Sequence, residues 1–284
     1  MNKVKIIECP RDAMQGIKSH FISTEAKAGY INSLLKVGFD TIDFGSFVSP
    51  KAIPQMRDTA AVLAKLNLSQ TQSKLLAIIA NVRGANDAAQ FEEIDYLGYP
   101  FSISENFQMR NTHKTIHQSI EALKEILSIA TRTNKEVVAY LSMGFGNPYG
   151  DPWNVEIVGE WTEKLSSMGV KILSLSDTIG SSTPDVIEHL FSNLIPKYPE
   201  IEFGAHLHTT PGSWHEKVNT AYKSGCKRFD GAIKGYGGCP MAKDELTGNM
   251  PTEKLISYFT EQKVQTGIKP MSFESAYNQA LQIF

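Results

Sequence analysis

The sequence predicts an α/β fold of the (β/α)8 TIM-barrel kind, a single catalytic domain over residues 1–284. Short apolar runs alternate with longer amphipathic ones from end to end, which means a parallel sheet with crossover helices. Eight such units in 284 residues match the size of a closed barrel. The rival, an open doubly wound sheet, calls for a glycine-rich nucleotide loop after the first strand. Here that strand runs into PRDAMQG (10–16), which lacks the G-x-G-x-x-G pattern.

The elements follow in order. VKIIEC (4–9) reads as a buried strand. TEAKAGYINSLLKVG (24–38) has Thr24 as N-cap, apolar positions at helical spacing and a glycine stop. TIDFGSF (41–47) is a strand, and residues 51–66 are helical. KLLAIIA (74–80) is a strand, followed by a short helix over 84–93. YPFSIS (99–104) is a strand, and residues 115–133 form the clearest helix in the chain. EVVAYLSM (136–143) is a strand before the helix 153–168. VKILSLSD (170–177) leads to a helix over 184–196 that opens on Pro184. IEFGAHLH (201–208) precedes a helix over 213–225, and RFDGAI (228–233) precedes a helix over 252–262.

Composition excludes several classes. A net charge of −2 with no basic run argues against nucleic acid as a partner. No apolar stretch is long enough to cross a bilayer. The N-terminal segment MNKVKIIECPRD lacks the features of a signal or transit peptide. Three widely spaced cysteines, Cys9, Cys226 and Cys239, do not make a disulfide framework. The expectation is a soluble protein of a reducing compartment, the cytoplasm.

A barrel of this kind places its active site at the C-terminal ends of the strands. The residues expected there are Arg11 and Asp12, Asp43 and Ser46, Asn81, Ser104 to Asn106, Tyr140 and Ser142, Ser176 to Thr178, His206 and His208, and the loop from Lys234 to Asn249. His206 and His208 are two apart on a strand, so their side chains share a face. They read either as surface histidines at a strand end or, with Asp12 across the mouth, as metal ligands. Nitrogen and oxygen ligands without a required thiolate suit an octahedral divalent cation, Mg²⁺ or Mn²⁺, with Zn²⁺ as the alternative. Arg11 reads as half of a structural ion pair with Asp43 or as a fixed cation for an oxyanion. Asp177 is either a functional carboxylate or the N-cap of the next helix. Cys239 sits within KGYGGCP (234–240). It is either a plain buried thiol or, on a glycine-rich loop over the mouth, a group that gives or takes a proton.

The motifs PRDAMQ (10–15), SFVSPKAIPQM (46–56), SENF (104–107), GNPY (146–149), SLSDTIG (174–180), AHLH (205–208), GYGGCP (235–240) and TGN (247–249) span the chain. Together they resemble the 3-hydroxy-3-methylglutaryl-CoA (HMG-CoA) lyase family of metal-dependent barrel lyases. SFVSPKAIPQM and GYGGCP mark the lyase branch rather than the synthases.

The resemblance implies cleavage of HMG-CoA to acetyl-CoA and acetoacetate, in leucine breakdown or ketone-body formation. It implies Asp12, His206, His208 and Asn249 as metal ligands and Arg11 as the partner of the enolate oxygen. Asp43 would orient Arg11, Asp177 and His206 would assist proton transfer, and Cys239 would be the acid. Arg11, Asn81 and Ser142 are the expected substrate contacts, and a homodimer the expected assembly. The sequence departs from the family pattern at several points. Cys9 and Ala13 flank Pro-Arg-Asp in place of glycines, Asp43 replaces a glutamate, Asn147 a cysteine and Thr209 an aspartate. The segment 239–249 is one residue longer. The alternatives are a lyase or aldolase of the same mechanism on another 3-hydroxyacyl-CoA or 2-oxo acid, a synthase, or a non-catalytic barrel.

Overall fold

The computed structural model describes residues 3–238 and 247–284. Eight parallel strands carry the fold: β1 (Lys5–Glu8), β2 (Thr41–Ser46), β3 (Lys74–Ile78), β4 (Tyr96–Ser102), β5 (Glu136–Ser142), β6 (Ile172–Asp177), β7 (Glu202–Thr209) and β8 (Arg228–Gly231). Each pairs with the next, and β1 pairs with β8 in the register Lys5 to Arg228 through Glu8 to Gly231, which closes the barrel. A short β9 (Gly248–Asn249) runs antiparallel to the end of β7, with Asn249 opposite His208. The expected (β/α)8 barrel is the observed one.

Strand alternation sorts side chains into two environments. One set, including Ile6, Ile42, Leu75, Leu97, Leu141 and Leu173, packs outward with the helices in one large buried cluster. The other set turns into the barrel and is lopsided. Leu76, Ile78, Tyr96, Val138, Tyr140 and Ile172, from β3 to β6, form a small apolar cluster of their own. On the opposite wall stand the buried polar residues Asp43, Ser174, Arg228 and Asp230. The interior is thus half oily and half charged.

Some local expectations are corrected. The helix Thr24–Leu34 is capped by Ser23, whose hydroxyl accepts from Ala26 N, rather than by Thr24. Residues 51–66 do not form one helix. Pro54 opens a 3₁₀ turn (Pro54–Met56), and an α-helix follows only over Thr59–Leu63. The helices Pro10–Gln15, Glu105–Thr112 and Pro270–Ile283 are additions to the expected set. SENF and the 146–151 segment meet through Asp151, whose carboxylate accepts from Ser104 Oγ and Asn106 N. That joins two loops and leaves Ser104 as a helix cap.

Glu8 turns outward from β1 and is fully buried. Its carboxylate accepts from Ile233 N at 3.0 Å and Thr252 Oγ1 at 2.6 Å. These two residues flank the segment that carries Cys239, so one side chain of β1 fixes both of its feet. Burial pushes the Glu8 carboxyl up to about 8, against the two hydrogen bonds that favour its ionised form. The folded state therefore holds a proton that the unfolded chain releases at the ordinary carboxylate value. Stability is fully present below that value and is lost as pH rises towards about 8. Thermal unfolding of the wild type is expected to show this loss, on the order of a few kcal/mol between about pH 5 and pH 8. Glu8→Gln, which keeps the shape and cannot ionise, is expected to flatten the profile, and an unchanged slope would refute the assignment.

Candidate active site

The site grows from the end of β1. Pro10 sits at the first position of the helix Pro10–Gln15, where a missing N–H costs nothing, and so starts the helix immediately after the strand. Arg11 and Asp12 then fall in its first turn, facing the mouth. The Arg11 guanidinium lies between two carboxylates. Its Nη1 donates to Asp12 Oδ1 at 2.8 Å, and its Nε and Nη2 donate to Asp43 Oδ2 at 3.0 and 2.5 Å. Burial alone would lower the Arg11 pKa, but the two aspartates outweigh it and hold the group firmly protonated.

Asp12 is a crossing point. Besides Arg11 it accepts from Gln15 Nε2 at 2.5 Å and from Asn249 Nδ2 at 2.7 Å. Burial raises its pKa, yet Arg11, His206, Asn249 and His208 together bring it below the usual carboxylate range. Across the mouth, His206 Nδ1 lies 3.0 Å from Asp230 Oδ2, and His208 Nδ1 lies 2.9 Å from the carbonyl of Thr178. A carbonyl only accepts, so His208 carries its proton on Nδ1 and leaves Nε2 as a lone pair. Facing Asp230 Oδ2, His206 likewise carries its proton on Nδ1, and although burial lowers its pKa, that contact brings it above the usual histidine value. Burial, then the neighbouring His206, lowers the His208 pKa and favours the neutral ring.

These constraints decide whether a cation fits. Asp12, His206 and His208 each offer a ligand atom, all within 4.8 Å of one another. His208 Nε2 is buried and has no hydrogen-bond partner among the described residues. A buried lone pair without a partner is costly unless something binds it. With each imidazole fixed through its other nitrogen, the arrangement has the form of a metal site with its outer supports in place.

The group forms one wall of a cavity of about 560 Å³. Arg11, Asp12, His206 and His208 line its charged side, and Val48, Ile78 and Tyr140 its apolar side. Asn81, Ser142 and Gly238 also line it. Asn81 uses its Oδ1 to cap the helix Val82–Ala89 through Gly84 N at 2.9 Å, which leaves its amide nitrogen for a ligand.

Two expected catalytic residues stand elsewhere. Asp43 is fully buried behind Arg11 and is not part of the cavity wall. It positions the guanidinium rather than touching what binds in the cavity. Asp177 turns away from the mouth into an ion pair with Lys217 Nζ at 2.7 Å and accepts from Ser182 N and Oγ. Nor does it cap the following helix, since Thr183 does. Lys217 also donates to the carbonyl of His208 at 2.9 Å, so this buried pair braces the end of β7. Asn249 stands beside the cation group, against Asp12. Cys239 lies outside the described residues.

Sequence reasoning missed Asp230 and Lys217, and placed Thr178 at the mouth without a role. Asp230 had a signal. It is an acid in an apolar strand, and the β7–β8 register pairs Gly204 with Arg228 and Ala205 with Phe229, which sets Asp230 beside His206.

The HMGL-like family model matches residues 3–279. The chain belongs to the HMGL-like family. A hydroxymethylglutaryl-CoA lyase of Bacillus subtilis is 33% identical over 268 residues, covering 94% of this chain and 88% of that protein. The crystal structure of an HMG-CoA lyase from Brucella melitensis superposes with a TM-score of 0.91 at 30% identity, covering 99% of both chains. An HMG-CoA lyase from Acinetobacter baumannii, solved with coenzyme A and 3-methylmalate, superposes with a TM-score of 0.90 at 29% identity, covering 99% of this chain and 91% of that one. The fold thus has structural relatives over nearly its whole length.

Two variants test this geometry. Asp230→Asn frees His206 from its imposed tautomer and is expected to lower Mn²⁺ affinity about 10- to 100-fold, read by electron paramagnetic resonance of free Mn²⁺. Lys217→Met leaves Asp177 buried and unpaired and is expected to cost about 3–5 kcal/mol in denaturant unfolding.

Proposed function

We propose that this protein is a carbon–carbon lyase that cleaves HMG-CoA to acetyl-CoA and acetoacetate. One observation carries the reading: a cation group built from Asp12, His206 and His208 shares a cavity wall with the permanently charged Arg11. The family, and relatives named for this reaction at 33% identity, agree with it.

Asp12, His206 and His208 would hold a divalent cation, Mg²⁺ or Mn²⁺ by the hardness of the set, with Asn249 beside them. A cation held there would supply Lewis-acid chemistry to the substrate's tertiary hydroxyl and lower its pKa. Each imidazole has a single lone pair in its enforced tautomer. We assign that of His206 to the cation rather than to proton transfer.

Once the hydroxyl proton has passed to a carboxylate oxygen of Asp12, which lines the cavity, the C2–C3 bond breaks. Acetoacetate forms, and the electron pair passes to the enolate of acetyl-CoA. Arg11 offers the remaining N–H bonds of Nη1 and Nη2 to that enolate oxygen. Asp43 fixes its orientation beforehand, so little reorganisation is needed as charge develops. Ser142 and the amide of Asn81 contact the substrate on the cavity wall.

Cys239 then gives its proton to the enolate carbon. Its neighbour in sequence, Gly238, lines the cavity. Gly237 passes so close to the site that a Cβ there would lie 2.6 Å from the Asp12 carbonyl, at a φ of +83° that side chains avoid. The glycines of this motif are therefore what lets the chain approach the cation group.

An acyl-CoA partner, a homodimer and a cytoplasmic setting complete the reading, with residues 1–284 as one catalytic domain. The two described cysteines are free, in keeping with a reducing compartment. Among the described residues, no helix is long and apolar enough to cross a membrane.

The deciding assay is acetoacetate release from HMG-CoA with Mg²⁺, with Mn²⁺ and with a chelator. Release is expected with either metal, to stop with the chelator, and to fall about 10²- to 10³-fold in Arg11→Gln. Cys239→Ala is expected to abolish turnover while leaving Mn²⁺ binding intact. A folded, metal-loaded protein that releases no acetoacetate would overturn this substrate in favour of another 3-hydroxyacyl-CoA.

A further inference from the structure

Beneath the cation group, the same imidazole faces a second set of ligands. Cys9 Sγ, His206 and Asp230 offer ligand atoms that all lie within 4.8 Å of one another. Cys9 is 1% exposed, and its thiol makes only a weak 3.9 Å contact with the Ile7 carbonyl. Asp230 is 3% exposed, and its Oδ1 has no hydrogen-bond partner among the described residues. A buried carboxylate oxygen with no donor among the described residues, next to a thiol that has no strong acceptor, offers two ligand atoms to a cation.

The two sets differ in kind. The upper one is oxygen and nitrogen alone, which suits hard ions. The lower one adds sulfur, and a thiolate selects zinc-like ions over magnesium. We propose that Cys9, His206 and Asp230 form a second, deeper site for a thiophilic divalent cation of the Zn²⁺ and Cd²⁺ class, and that it competes with the upper site for His206. Cys9 stands where the HMG-CoA lyase pattern has a glycine, so the site is a property of this chain.

The competition follows from geometry, since one imidazole, that of His206, belongs to both ligand sets. On binding, the Cys9 S–H gives its proton to solvent and the sulfur donates its pair to the ion, with no change in oxidation state. His206 must present Nδ1 as a lone pair. Its proton therefore leaves the hydrogen bond with Asp230 and goes to Nε2. A neutral imidazole has one lone pair, so Nε2 becomes a donor and is lost to Asp12 and His208. An ion in the deep site thus removes one ligand from the upper one. Of the three deep residues, His206 is the one that lines the cavity.

The test is a Cd²⁺ titration of the full chain, reading the ultraviolet thiolate-to-cadmium absorption. In a Cys226→Ser, Cys239→Ala background, Cys9 is the only thiol left of the three. About one equivalent of Cd²⁺ is expected to bring up the band. Asp230→Asn is expected to raise the Cd²⁺ needed about tenfold or more. Bound Cd²⁺ is expected to lower Mn²⁺ affinity at least tenfold in the same background, a loss that Cys9→Ser restores. Should the background fail to fold, the difference between wild type and Cys9→Ser carries the same readout. The proposal is overturned by a folded protein with no Cys9-dependent band. It is equally overturned if the band appears while Asp230→Asn and Mn²⁺ binding show no effect. These readouts need no turnover, so a failure to release acetoacetate would leave them standing.

Discussion

A permanent positive charge buried at the mouth of a barrel has to be answered by anions, and Arg11 sets that demand for its surroundings. Asp43 meets it from behind and Asp12 from the side. Because Asp12 is held ionised in this way, it attracts Gln15, Asn249 and the two histidines. Three strand ends and the return strand β9 are thus gathered around one guanidinium. Removing either aspartate would leave Arg11 with one carboxylate in place of two and strip N–H groups of their buried acceptors. The group is over-determined, as a site that must not reorganise during reaction should be.

The lopsided barrel interior serves the same end. Leu76, Ile78, Val138 and Tyr140 keep water from one wall, which strengthens electrostatics on the other. His206 lies on the boundary. The Tyr140 ring meets it edge to face at 5.7 Å, and Asp230 holds it from below. Each histidine is aimed by a partner that accepts a hydrogen bond, a carboxylate in one case and a carbonyl in the other. The choice of tautomer is therefore made by the fold before any ligand arrives.

Much of this was legible in the sequence. Strand–helix alternation revealed the barrel, because a parallel strand buried on both faces is a continuous apolar run. The residues at strand ends then pointed to Arg11, Asp12, His206 and His208 without a structure. Strand assignment could not reveal direction at the last residue. Asp177 ends β6 as expected, yet its side chain alternates outward, to Lys217, a partner forty residues away in the next helical layer. Asp43 was found, but its depth was not, since only packing decides whether a carboxylate meets a cavity or stands behind an arginine. Asp230 was passed over because a single acid within an apolar strand reads as an edge or an error until its register against β7 is known. The long helix expected over 51–66 failed for a local reason, as Pro54 removes a donor and the chain tightens into a 3₁₀ turn before it can recover.

The bridging of Ala232 to Pro251, together with the grip of Glu8 on Ile233 and Thr252, has a kinetic meaning. Gly238 is held against the cavity wall. On the proposed reading, a thiol carried by the next residue in sequence would not search for its target by diffusion through solvent. It would act as an intramolecular reagent, at an effective concentration set by this anchoring. Bulk water would compete from outside that volume, which would bias the carbanion towards the protein's own proton.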